Sequence, residues 1–250
     1  MRLVRPIETE LLTVHPAAPG SGICIQGIPA SAKNVMKYDM RVDLFQGEEI
    51  AFLTEHILSC LKLLGIEDAR VHGKELAWDF ARPVHRFAYS LGMRGDSIFG
   101  PPEGSHCFAV VRQPDCLEKW HSQRYCTVKE PVIYSAPAFG RIELRPARPG
   151  EGMRYRISNG QAAVEARVFV TRRENDPALL EKILTARTPA VQGMGQEEAL
   201  WHSIGDFTAD LCGIGDLTDA VVQAEVVSAY HAITVGAVKL IEERGLMCFE

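Results

Sequence analysis

The stretch that most constrains this chain is residues 201–211. Spaced at 3.6 residues per turn, Leu200, Ile204, Phe207 and Leu211 form one apolar stripe, while His202, Asp206 and Asp210 line the nearly opposite side. The spacing predicts a helix with two committed faces, one of them a core face. An imidazole and a carboxylate four residues apart project side by side, about 5–6 Å between Cβ atoms, a reach suited to holding one cation. Taken alone, the polar side fits a solvated face with a helical His–Asp pair better than a site, so the rest of the chain must decide between them.

The chain has 250 residues, 46% of them apolar, which is enough for one large core or two small ones. Its 27 basic and 32 acidic residues are interspersed and leave a net charge of -5, so no electrostatic footprint for nucleic acid or an anionic membrane exists. No run approaches the ~20 apolar residues of a membrane span. The start, Met1-Arg2-Leu3-Val4-Arg5-Pro6-Ile7-Glu8, is charged where a secretory leader would be apolar. We therefore expect a cytoplasmic protein with no nucleic-acid partner and no stable membrane insertion. The cysteines are odd in number, scattered and without a CxxC pair, as suits reduced structural thiols.

Residues 9–14 and 22–28 lean to strand, with the turn Pro16-Ala17-Ala18-Pro19-Gly20 between them. Ile57, Leu61 and Leu64 then recur at helical spacing, with Thr54 as a possible cap and Gly65 as a stop. A strand at 71–76 and a helix at 83–91, opened by Pro83, complete a first α+β unit. The boundary falls in the breaker-rich segment 95–123, dividing the chain into 1–110 and 111–250. β-leaning segments at 125–134, 139–144, 153–157 and 162–171 read as a meander, with turns such as Pro149-Gly150 and Asn159-Gly160. Asn175-Asp176-Pro177 starts a helix to about Ala186, the opening helix begins near Gln196, residues 221–227 form a β-branched run, and a last helix covers 231–244. The expected fold class is α+β, with two similar domains, each a mainly antiparallel sheet with two helices, and the helices packed between the sheets as a duplicated α/β sandwich. A faint echo supports duplication: Glu55-His56-Ile57 leads to Gly65-Ile66, as Trp201-His202-Ser203-Ile204 leads to Gly213-Ile214.

Of the eight histidines, His15, His72, His85, His106 and His121 call for no function. A hydrolytic zinc site needs three protein ligands, an open position, a base for water and an acid for the leaving group. His56, His202 and Asp206 can supply the ligands, Glu55 the base and His231 the acid, although spacing across the chain has little specificity.

Thr54-Glu55-His56, Leu64-Gly65-Ile66-Glu67-Asp68, Ala186-Arg187-Thr188, His202-x-x-x-Asp206-x-x-x-Asp210-Leu211 and His231-Ala232 follow one another in an order that resembles the UDP-3-O-acyl-N-acetylglucosamine deacetylase family, the zinc amidases of lipid A biosynthesis. The similarity extends over about residues 8–241. It implies Zn2+ on His56, His202 and Asp206, with Fe2+ also compatible with two histidines and a carboxylate. It further implies that Glu55 deprotonates the attacking water, that His231 protonates the departing amine with Asp210 orienting it, and that Thr188 faces the oxyanion. The implied substrate is a small-molecule N-acyl amino sugar or sugar nucleotide.

The chain departs from the family where substrate is read. Ser203 stands where a lysine near the nucleotide phosphates is usual, Ser228-Ala229-Tyr230 replaces a Lys-Ser-Gly stretch, and the connection from Thr188 to His202 lacks the family's long acyl-passage insert. Three functions follow as expectations: the lipid A type deacetylase, a divergent zinc amidohydrolase acting on a smaller N-acyl substrate without the long acyl chain or UDP, and a non-catalytic binding protein of the same fold.

Overall fold

The computed structural model describes residues 2–8, 12–38, 42–51, 54–73, 117–118, 125–171, 175–186, 195–228 and 230–249. The helix expected at 83–91, the strand residues beyond Gly73, most of 95–123 and Thr188 lie outside the described residues. In chain order the first half carries β1 (Arg2–Leu3), β2 (Ile7–Glu8), β3 (Leu12–Pro16), β4 (Ile23–Ile25), β5 (Ile28–Pro29), β6 (Val35–Lys37), β7 (Asp43–Gln46), β8 (Glu49–Ala51), α1 (Glu55–Leu63) and β9 (Ala69–Gly73). The second carries β10 (Leu117–Glu118), β11 (Cys126–Val128), β12 (Val132–Ala136), β13 (Gly140–Pro146), β14 (Met153–Ser158), β15 (Ala163–Val168), α2 (Pro177–Thr185), α3 (Gln196–Thr208), a π-helical turn (Ala209–Ile214), β16 (Ala220–Val226), α4 (His231–Glu243) and β17 (Met247–Phe249). None of the described helices is long and apolar enough to cross a membrane.

The α+β class holds, and each half is built on a mixed five-stranded sheet. The orders are β2-β3-β9-β4-β5 and β12-β13-β16-β14-β15. Each sheet has three antiparallel pairs and one parallel pair, β4 with β9 in the first and β14 with β16 in the second. Even the registers correspond: Pro16 and Ile23 both face Ala69, as Pro146 and Met153 both face Ala220. The second half is therefore not a meander, because β16 inserts between β13 and β14. Alternating apolar residues fix which face of a strand is buried but not which strand lies beside it. Among its described residues that half also holds three α-helices rather than two.

The inserted strand is fixed by the turn it passes. Pro16-Ala17-Ala18-Pro19-Gly20-Ser21-Gly22 and Pro146-Ala147-Arg148-Pro149-Gly150-Glu151-Gly152 occupy matching places in the two sheets. In the first, the backbone N–H groups of Gly20 and Gly22 donate to the Asp68 carboxylate at 3.1 and 2.7 Å; in the second, the Gly152 N–H donates to Asp219 Oδ1 at 2.7 Å. Each aspartate immediately precedes the central strand of its sheet, so turn and strand are pinned together. A side chain at Gly152 is excluded, since φ is +74° and a Cβ would stand 2.6 Å from the Val168 carbonyl oxygen.

Local signals set the helix limits. α1 ends on Gly65 at φ 69°, with Gly65 N–H bonded to Lys62 O and Ile66 N–H to Leu61 O, a Schellman closure. Thr54 does not cap α1 through its side chain; its hydroxyl donates to Val42 O at 3.1 Å instead. Asp176 caps α2, accepting from Ala178 N–H at 3.0 Å, and Pro177 takes the first helical position as expected. α1 packs on α3 and on the π-helical turn, α3 packs on β14 and β15, and α4 packs on β12 and β13. Buried Asn175 links the halves by donating to Leu63 O at 2.7 Å and Phe169 O at 2.8 Å. α4 is held to the β6–β7–β8 sheet by Lys239, whose ammonium lies 4.6 Å from the Tyr38 ring centroid and donates to Val35 O at 3.3 Å.

Candidate metal and acid–base centre

On α3 the apolar stripe Leu200, Ile204, Phe207 and Leu211 is buried, as the spacing predicts, but so are His202, Asp206 and Asp210. The polar face is not solvated because α1 and α4 cover it. Charges removed from water need partners or a cation, and the partners come from exactly those two covering helices' first turns. Continuing α3, the π-helical turn bonds Gly215 N–H to Asp210 O at 3.0 Å, one residue wider than an α-turn.

His56 of α1 and His202 and Asp206 of α3 bring three possible ligand atoms within 4.8 Å of one another. The two imidazoles stand edge to face, with centroids 5.1 Å apart. His202 Nδ1 lies 3.1 Å from the Ala186 carbonyl oxygen, an acceptor only, which assigns the ring proton to Nδ1. Nε2 faces Asp206 Oδ2 at 3.3 Å, where a charged imidazole places a proton and a neutral one a lone pair. A metal ion bound to the neutral ring would take that lone pair, and His56 supplies a third donor atom within 4.8 Å. The residues present thus fit a divalent ion. Their donor set, two nitrogens and one carboxylate, does not identify it.

Around this cluster lie the acid–base groups. Glu55, at the first position of α1, is 3% exposed and accepts from Val42 N–H at 3.1 Å through Oε2. Burial raises its pKa above the ordinary carboxylate value, against the opposing pull of His231 and His56. His231, at the first turn of α4, donates from Nδ1 to Asp210 Oδ2 at 2.8 Å, and its Nε2 lies 3.8 Å from Asp206 Oδ2. Burial works against charge on this imidazole, but Asp210, then Asp206, outweigh it and push the pKa up to about 10. Burial raises the Asp210 carboxyl as well, opposed by His231; the second anion, Asp206, keeps the shared proton on the imidazole. Asp206 itself is pushed up by burial yet held down at about 2 by His202 and His231.

The structure thus brings together His56, His202, Asp206, Glu55, His231 and Asp210, from three helices and both halves of the chain. One group was missed in the sequence, and one singled out there takes an unexpected place. The Thr234 hydroxyl donates to the same Asp210 oxygen that His231 uses; its place three residues after His231, on one helix face, was the available signal. Ser203, fully buried, donates to Ala199 O at 2.8 Å, so it is an internal polar group rather than a surface residue. No protein-family model and no characterised protein matches the chain.

Proposed function

We propose that this protein is a metal-dependent amide hydrolase that removes an N-acyl group, acetyl being the simplest, from an amino sugar. The carrying observation is the convergence of three ligand atoms within 4.8 Å from residues far apart in sequence, with Glu55 and a His231–Asp210 pair beside them. His56, His202 and Asp206 would hold the ion, Zn2+ or Fe2+. When bound it supplies Lewis-acid polarisation of the scissile carbonyl and acidifies water to near neutrality.

The chain's own residues do the remaining work. Glu55, its basicity raised by burial, takes the proton of the attacking water. His231, held charged, gives a proton from Nε2 to the amine as the C–N bond breaks, while Nδ1 stays fixed on Asp210. Thr234 occupies a further lone pair of that Asp210 oxygen and restricts its rotation. The matched strand orders, registers and carboxylate-pinned turns support a duplicated α+β unit with the site at the contact of its two copies. The resemblance to the lipid A deacetylase family points to the same chemistry, in a cytoplasmic enzyme.

The purified chain should contain close to one zinc or iron per molecule by elemental analysis. It should also release carboxylate from at least one member of a panel of N-acyl sugars presented with and without UDP and with short or long acyl groups. Absence of metal, with no turnover on adding Zn2+ or Fe2+, refutes the hydrolase and favours a binding protein. A second reading, an amidohydrolase for a smaller substrate than the family's sugar nucleotide, is favoured by Ser203 being buried and committed internally to Ala199. Turnover confined to short N-acyl sugars without UDP would select it.

A further inference from the structure

The outward face of the first sheet carries two histidines, His15 and His72, to which the sequence assigned no function. Burial alternates in the same way along β3 and β9, with Val14 and Val71 in the core and His15 and His72 exposed to solvent. The two strands are antiparallel, with His15 opposite Arg70 and Thr13 opposite His72, so the imidazoles stand diagonally across the pair on one face. Their ring centroids are 5.8 Å apart at an interplanar angle of 68°. The ligand candidates His56 and His202 meet in the same edge-to-face manner, at 5.1 Å and 73°.

Two imidazoles on one face make a bidentate donor set. An ion held about 2.0–2.1 Å from one nitrogen of each ring, at a tetrahedral angle, sets the centroids roughly 5 Å apart. The observed separation exceeds that by under about 1 Å, which exposed side chains cover by rotation within picoseconds to nanoseconds. Neither ring has a hydrogen bond or ion pair with another described residue that would hold it back. The guanidinium on the same face is turned aside: Arg70 donates from Nη1 to Gly22 O at 3.0 Å and Ala69 O at 3.1 Å, which draws its charge toward the turn pinned by Asp68 and away from His72. The strands beneath are already paired, so chelation orders two side chains and no main chain.

We propose that His15 and His72 form a second metal site, a solvent-exposed two-histidine chelate for Zn2+ or another divalent transition-metal ion, with its remaining coordination positions open to water. Imidazole nitrogen selects such ions over Mg2+ and Ca2+, which prefer oxygen. The site shares no residue and no secondary-structure element with the His56–His202–Asp206 cluster, and it does not rest on the hydrolase reading.

The test is calorimetric titration of the metal-free, full-length chain with Zn2+. Two classes of site are expected: a tighter one lost in His202→Asn, and a weaker one lost in His15→Gln and equally in His72→Gln. A second ligand on a shared scaffold raises affinity by about 10²–10⁴-fold, so either outer substitution should weaken the second class by at least about 10²-fold. The tighter class and the metal-free melting temperature should stay at wild-type values in both outer variants, because these side chains are exposed. Mg2+ in place of Zn2+ should leave the second class unfilled. A second class that survives either outer substitution, or the lack of any binding that depends on both histidines, overturns the proposal. Zinc binding lost in His15→Gln and His72→Gln but untouched by His202→Asn refutes the metal-dependent hydrolase and leaves the outer chelate standing.

Discussion

The approach of α1 to the π-helical turn sets where His56 meets the α3 ligands, and Gly213 is the point where that approach can be changed by one methyl group. A Cβ built at Gly213 lies 3.2 Å from Leu58 Cβ and 3.5 and 3.6 Å from the Leu58 methyl carbons. Carbon atoms rest at about 3.5–4.0 Å, so Gly213→Ala demands a separation of about 0.3–0.8 Å. Leu58 Cβ cannot rotate away, because it is attached to the α1 backbone, and the whole helix must therefore carry the adjustment. His56, two residues earlier, moves with it, whereas metal–ligand distances tolerate only about ±0.2 Å. Overpacking costs about 1–3 kcal/mol, and replacing a helical glycine returns up to about 1 kcal/mol. The metal-free protein should thus lose about 1–2 kcal/mol while Zn2+ affinity, measured by competition with a chromophoric chelator, falls about 10–100-fold, the range of perturbed ligand geometry. Leu58→Ala is the control: it keeps the Cβ, so it should cost stability by opening a cavity without weakening zinc comparably. Wild-type zinc affinity in Gly213→Ala would refute the coupling between this contact and ligand spacing, whatever the melting temperature.

Three further outcomes follow from the site and the turns. Glu55→Gln should retain the metal but slow hydrolysis by roughly 10²–10⁴-fold, in steady-state assays on whichever N-acyl sugar the wild type turns over. In the metal-free protein, His231 titrates near 10 against 6.5 ordinarily, so its contribution to stability is complete below about 6.5 and is lost as pH rises through 10. Urea midpoints should fall across that window, and Asp210→Asn, lacking the nearer anion, should flatten the fall. Asp219→Ala should destabilise by about 1–3 kcal/mol, since it strands the buried Gly152 N–H, whereas Asp68→Ala should cost nearer ~1 kcal/mol because its glycine partners are exposed; chemical denaturation of both variants checks the ranking.

Helix limits were legible in the sequence wherever a local device sets them, as at Asp176-Pro177 and at Gly65. Helical spacing marks His202, Asp206 and Asp210, whereas His56 and His231 joined them through the order of motifs that resembles the deacetylase family. Burial of the polar side of α3 could not, since it depends on α1 and α4 arriving from distant parts of the chain. Strand order failed for the same reason: nothing within residues 125–171 signals that β16 will enter between β13 and β14. The paired turns are a different case, for the repeat from Pro16 to Gly22 and from Pro146 to Gly152 stands in the sequence, and only its meaning needed Asp68 and Asp219 in space. Thr234 had only its place three residues after His231 as a signal, and its role became visible through Asp210.

That His56 comes from the first half and both α3 ligands from the second has a thermodynamic consequence. An ion ligated by all three exists only when the halves are docked, so every increment of binding free energy is also an increment of docking free energy. At a free ion concentration 100 times the dissociation constant, about 2.7 kcal/mol would be added to the joint unfolding transition and to neither half separately. Metal content would then act as a cooperativity switch: a chain that melts in two steps when stripped should melt in one when loaded.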